Sequence, residues 1–146
     1  MSTKREKYVV FVCTGNTCRS PMAVVLAESI FKAHNIHAAV FSAGVSAWDG
    51  QPASTHAISA MEEEKLDLRQ HSSQIISYEL LSDAALVLTM TAQHLAIIKS
   101  AYPDINAFAL DVSDPFGGDL QIYRQTGIEI KQKIISNLEK IKEALA

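Results

Sequence analysis

A chain of 146 residues, 48% hydrophobic and 20% charged, has the make-up of one soluble globular domain, taken as residues 1–146, with a single substantial core. A formal net charge of −3 argues against the basic surface of a nucleic-acid binder, and the apolar runs fall far short of the roughly 20 residues that span a membrane. Two cysteines and no apolar export segment point to a reducing, cytoplasmic setting.

The charged residues 1–7 read as a solvated tail. Tyr8-Val9-Val10-Phe11-Val12 is an apolar run typical of a buried strand. A loop from Cys13 to Ser20 follows, and Pro21 opens a helical pattern to about residue 33, with Ser20 as its expected N-cap. Residues 38–42 form a second strand, 55–65 a helix and 77–82 a short helix. Residues 84–89 are a third buried strand, and Thr91 caps a helix that Tyr102-Pro103 terminates. Residues 105–110 give a fourth strand. One long helix is expected over 119–144, with Ile130, Ile134, Leu138, Ile141 and Leu145 on one face. Strands without polar alternation imply a parallel sheet covered on both faces. The predicted fold is α/β: a doubly wound, four-stranded parallel sheet in the order 2-1-3-4, flanked by helices. Ligands bind such sheets beyond the carboxyl ends of the strands, where the loops after the first and fourth strands meet.

Cys13-Thr14-Gly15-Asn16-Thr17-Cys18-Arg19-Ser20 occupies that edge. A loop entering a helix N-terminus offers free backbone N–H groups within a positive field. Gly15 and Asn16 tolerate the left-handed backbone of such a nest. The cradle, Thr14 to Arg19, suits a tetrahedral oxyanion. Arg19 supplies a forked pair of donors for two of its oxygens. A field that holds phosphate also favours thiolate over thiol, so Cys13 is the candidate nucleophile of a cysteine-dependent phosphatase. Ser20 is placed to donate a hydrogen bond to that thiolate, beside its capping role. A general acid is needed as well, and Asp111, Asp114 and Asp119 are rivals that spacing does not separate. Trp48, in a glycine-flanked loop, and Phe116, next to Asp114, are candidate pocket walls. The five histidines (His34, His37, His56, His71, His94) are scattered and read as surface or supporting residues. No metal or cofactor is called for, since no paired ligand spacing accompanies the cysteines.

The stretch from Val12 to Ala23 resembles the signature of the low-molecular-weight protein tyrosine phosphatases. Asp114-Pro115-Phe116-Gly117-Gly118 resembles that family's general-acid loop, and Ser42-Ala43-Gly44 is a weaker third match. The resemblance spans essentially the whole chain. It implies a phosphocysteine intermediate on Cys13, with Asp114 as acid and then base. It also implies a phosphorylated protein substrate, with a pocket-lining residue in the Trp48 loop. In the family a second cysteine at the Cys18 position can form a reversible disulfide with the nucleophile.

Substrate class turns on two departures. Tyrosine-directed members usually carry isoleucine at the Thr17 position and tyrosine or tryptophan at that of Phe116. Both differences resemble the protein arginine phosphatase branch, whose loop reads Cys-Thr-Gly-Asn-Thr-Cys-Arg. A threonine hydroxyl can accept a hydrogen bond from a guanidinium, whereas an isoleucine rewards the apolar ring of phosphotyrosine. Trp48 suits a phenyl ring, though it can also stack on guanidinium. The reading leans to phosphoarginine, with phosphotyrosine as the alternative. An arsenate reductase of the same fold would relay a disulfide through cysteines near the third strand, and residues 77–90 contain none. A non-catalytic phosphate-binding module would be expected to lack the thiol or the acid.

Overall fold

Residues 6–146 are described in a computed structural model. In chain order the elements are β1 (Tyr8–Cys13), α1 (Arg19–Ala33), β2 (Ala39–Gly44), α2 (Thr55–Glu63) and α3 (Tyr78–Ser82). They continue with β3 (Leu86–Thr89), α4 (Ala92–Ala101), β4 (Ala107–Ala109), α5 (Leu120–Ser136) and α6 (Leu138–Leu145). The four strands form one parallel sheet in the order β2-β1-β3-β4, as the apolar runs implied.

Successive side chains of a strand point to opposite faces, so a strand covered on both sides must be apolar at every position. β1 shows this directly. Val9, Phe11 and Cys13 join the core beneath α1, α2, α5 and α6, while Val10 and Val12 pack with Leu81 of α3 and Ile98 of α4. Fully burying a side chain such as Phe11 is worth about 1.5–3 kcal/mol, so the central strand anchors the fold from both layers. The same alternation puts the Cys13 side chain on the α1 side of the sheet.

Two expectations need correction. Ser20 does not cap α1: the helix begins at Arg19, Cys18 occupies the N-cap without a side-chain bond, and the Ser20 hydroxyl is used elsewhere. The long C-terminal helix is two helices. Asn137 leaves helical geometry (φ −105°, ψ 11°) while its side chain donates back to the Lys133 carbonyl at 2.8 Å. Such local side-chain bonding competes with helix continuation. The apolar stripe survives the break, with Ile130, Ile134, Leu138 and Ile141 all buried. At the N-terminus, Lys7 is exposed. Its carbonyl accepts from the Ala39 N–H, and its ammonium donates to the Ala146 carbonyl at 2.6 Å. The rest of the expected tail, up to residue 5, lies outside the described residues.

β2 also runs two residues further than expected, to Gly44 paired with Cys13. The close approach explains the glycine. A Cβ at Gly44 would stand 2.4 Å from the Thr14 carbonyl oxygen and 3.0 Å from the Asn16 nitrogen. Any side chain there would push on the loop that follows β1.

Candidate active site

The loop between β1 and α1 is held from outside by its carbonyls. Those of Cys13, Thr14 and Thr17 accept from the backbone N–H groups of Val45 (2.9 Å), Ser46 (3.0 Å) and Ser54 (2.9 Å). The Asn16 carbonyl accepts from His71 Nε2 at 2.6 Å. All peptides are trans among the described residues, so each outward carbonyl turns the next residue's N–H the other way. The amides of Thr14, Gly15, Thr17 and Cys18 therefore face inward. Asn16 takes the left-handed conformation (φ 58°), and its buried side chain locks the turn. Its Nδ2 donates to Ser20 Oγ and Ser42 Oγ, both at 2.8 Å, and its Oδ1 accepts from the Gln74 N–H at 2.9 Å.

Inside the ring, Cys13 Sγ lies 2.8 Å from Ser20 Oγ. Because Ser20 Oγ already accepts from Asn16, its own proton is available to the sulfur. Arg19 is only 4% exposed and donates through Nη1 to the Val112 carbonyl at 3.1 Å. Its Nη2 stands 3.7 Å from Asp114 Oδ2. A cavity of about 340 Å³ opens over these groups, lined by Cys13, Thr14, Gly15, Thr17, Cys18, Arg19, Asp114 and Phe116. Chain topology thus brings Asp114, a hundred residues away, to the mouth of the loop. The three aspartates occupy different places. Asp119 caps α5, accepting from the Ile122 N–H at 3.0 Å. Asp111 sits in left-handed backbone (φ 66°) beside a neighbouring shallow cavity. Asp114, of the three, lines the cavity over the sulfur.

The family model for low molecular weight phosphotyrosine protein phosphatase matches residues 8–146. The chain belongs to that family. A protein-arginine-phosphatase of Bacillus subtilis is 40% identical over 146 residues, covering 92% of this chain and 97% of its own. A low molecular weight protein-tyrosine-phosphatase, PtpB, of Staphylococcus epidermidis is 38% identical over 144 residues, covering 92% and 96%. Arsenate reductase of Bacillus cereus matches at 32% over 131 residues, covering 90% and 93%. Among solved structures, a YwlE mutant from Bacillus subtilis superposes with a TM-score of 0.88 at 39% identity, covering 93% of this chain and 99% of that one. This low-molecular-weight phosphatase is an enzyme acting on phosphorylated proteins.

Not every residue expected in the phosphatase site lines the cavity. Phe116 does, at its rim and 84% exposed. Trp48 is 81% exposed and is not among the lining residues. Its loop is instead tied to the 73–75 segment, where Ser73 Oγ donates to the Trp48 carbonyl and Asp49 Oδ1 accepts from the Ile75 N–H. Cys18 is a free, half-buried thiol on the cavity wall. Its sulfur lies 3.3 Å from the Tyr123 hydroxyl and 3.7 Å from Ser54 Oγ. Burial, then the Cys18 contact, pushes Tyr123 above the ordinary tyrosine range. No cluster of metal-ligating side chains occurs among the described residues.

Sequence reasoning left the histidines as one scattered group of surface or supporting residues and did not single out the two that brace this phosphatase loop. His71 holds the Asn16 carbonyl, and His94 Nε2 lies 2.8 Å from Thr14 Oγ1. Burial holds both below the usual histidine range; the Asn16 bond partly opposes this for His71. Nothing in the spacing marks His71. For His94 a signal existed in Thr91-Ala92-Gln93-His94, because the capping threonine fixes where that imidazole starts.

Proposed function

We propose that this phosphatase hydrolyses phosphoarginine in proteins through a phosphocysteine intermediate. Inward amides of the loop and the Arg19 fork bind the three non-bridging oxygens, with Thr14 to Arg19 as the phosphate-binding segment. The Cys13 thiolate attacks phosphorus in line, a P–S bond forms and the P–N bond breaks. Asp114 delivers its proton to the departing guanidine nitrogen. Its carboxylate then takes a proton from water, the hydroxide attacks phosphorus, and the P–S bond breaks to release phosphate and thiolate. Ser20, 2.8 Å from the sulfur, stabilises the thiolate as attacking and leaving group. Asp114 is preferred over its rivals because it shares the cavity with Cys13 and Arg19.

Substrate choice rests on one observation: Thr17 lines the same cavity as Cys13 and Asp114. A guanidinium entering there meets a hydroxyl acceptor. The similarity to proteins named protein-arginine-phosphatase supports the reading. The phosphotyrosine alternative is favoured by the similarity to PtpB. Arsenate reduction by a disulfide relay through extra cysteines is disfavoured, since Cys13 and Cys18 are the two cysteines of the chain.

Thr17→Ile tests the substrate class. The parent protein is expected to favour a phosphoarginine peptide over a phosphotyrosine peptide in kcat/KM, and the substitution to shrink or reverse that preference. A buried donor left without its acceptor costs roughly 1–3 kcal/mol, or about one to two decades in rate. Phosphotyrosine hydrolysis should survive or rise, because Cys13, Arg19 and Asp114 are untouched. A parent protein that already prefers phosphotyrosine shifts the assignment to the alternative.

Cys18 is assigned a protective role. Peroxide oxidises the Cys13 thiolate to a sulfenic acid; the Cys18 thiol then displaces water to give a disulfide, which an added dithiol reduces. Peroxide-treated parent protein should recover its activity with dithiol, and peptide mass spectrometry should show the Cys13–Cys18 link. Cys18→Ser should lose activity irreversibly, as the sulfenic acid proceeds to higher oxides. Equal recovery of the two proteins would reduce Cys18 to a packing residue.

A further inference from the structure

The imidazole of His94 is 5% exposed and belongs to the first turn of α4, beside the phosphate loop. Its backbone N–H donates to Thr91 Oγ1 at 3.2 Å, completing the helix cap, and its ring Nδ1 lies 3.0 Å from that same oxygen. The opposite ring nitrogen, Nε2, lies 2.8 Å from Thr14 Oγ1. Thr14 in turn opens onto the cavity that holds Cys13 and Arg19. A rigid helix N-terminus is therefore joined through one ring to the first residue of the cradle.

We propose that His94 is a positioning residue for phosphate binding: with its ring proton on Nε2 it donates to Thr14 Oγ1, and Thr14 thereby presents its own hydroxyl proton to an oxygen of the phosphoryl group. The inference rests on the cradle reading given above. Thr91 Oγ1 already accepts the cap bond, so its proton is best used on Nδ1, which leaves the ring proton on Nε2. The opposite tautomer would have Thr14 donate to the ring and turn only lone pairs toward a dianion. The surroundings keep the ring uncharged. Burial pushes His94 below the ordinary histidine range, the Arg19 guanidinium adds to this, and Asp114 opposes it. Asp111 is the remaining charged side chain on the shallow cavity that His94 and Thr14 share with Arg19 and Asp114.

Two amide substitutions separate the ring nitrogens. The amide nitrogen of His94→Gln reaches about as far as Nε2, whereas that of His94→Asn reaches only the place of Nδ1. The readouts are kcat and KM for para-nitrophenyl phosphate and competitive inhibition by inorganic phosphate. His94→Asn is expected to weaken phosphate inhibition and lower kcat/KM about tenfold, the scale of one lost hydrogen bond. His94→Gln should stay within about threefold of the parent. On a Thr14→Val background, His94→Asn should cost no more than about a further twofold, because its partner hydroxyl is already gone. An undiminished loss on that background, or phosphate inhibition of His94→Asn equal to the parent's, overturns the proposal. If His94→Asn fails to fold, Thr14→Ser and Thr14→Val carry the test without touching the ring. Equal phosphate affinity in those two, one keeping the hydroxyl and one lacking it, overturns it equally. A parent protein that neither hydrolyses para-nitrophenyl phosphate nor is inhibited by phosphate would instead sink the cradle reading itself.

Discussion

Cys13→Ser should abolish turnover of phosphorylated substrates while leaving the fold and most of the phosphate affinity in place. Oxygen for sulfur is a small change in volume at the end of a central strand, and the amides that bind phosphate belong to the neighbouring residues. Reactivity is another matter. An alcohol is far harder to ionise than a thiol, and the field that sustains a thiolate here does not sustain an alkoxide. The loss in kcat is expected on the order of 10⁶, the scale reached when a covalent nucleophile is removed. Single-turnover assays read the rate, and a thermal melt together with phosphate protection reads fold and binding. Substantial hydrolysis by this variant would remove Cys13 as nucleophile and with it the phosphocysteine route.

Asp114→Asn should separate substrates by their leaving groups. A nitrophenolate departs readily as an anion and needs little protonation, so para-nitrophenyl phosphate should be affected least. A guanidine or an unactivated phenol needs the proton, and general-acid help of this kind is worth about 10²–10⁴ in rate. The amide keeps the side chain's shape and can still accept the Phe116 N–H bond, which is 2.9 Å in the parent, so the loop should hold its conformation. Asp111→Asn and Asp119→Asn serve as controls on the same two substrates. Asp119→Asn keeps a capping acceptor for α5, so it tests charge rather than helix formation. If either control shows the leaving-group pattern and Asp114→Asn does not, the acid is reassigned.

The sheet was legible because its signal is local. Continuous apolar runs such as Tyr8–Cys13 have only one economical use, burial on both faces of a parallel sheet. The loop from Cys13 to Ser20 was legible for a related reason. An anion cradle built from backbone needs glycine or asparagine at the turn and a helix N-terminus behind it, all contiguous in sequence. For Ser20 local reasoning reached the bond to the Cys13 sulfur but not the loss of the capping role. A hydroxyl at a helix start reads as a cap, yet β1 and α1 place Cys13 Sγ and Asn16 Nδ2 both 2.8 Å from it, and those bonds take the hydroxyl. Asn137 shows the same limit, since whether an asparagine breaks a helix depends on how the flanking turns are packed.

The sequence by itself determined the chemistry that contiguous residues carry: a thiol at a strand end, a ring of amides, and an arginine entering a helix. Only the tertiary structure decided what distant segments contribute. It brought Asp114 rather than Asp111 or Asp119 to the cavity and left Trp48 off the lining. It also set His71 and His94 against Asn16 and Thr14 across 55 and 80 residues of chain. The physical reason lies in how each kind of contact is encoded. Backbone nests and strand burial are specified by residue type at fixed short spacing. The direction of a side chain in a connecting loop is specified by which buried polar groups across the sheet edge still lack a partner when the layers close.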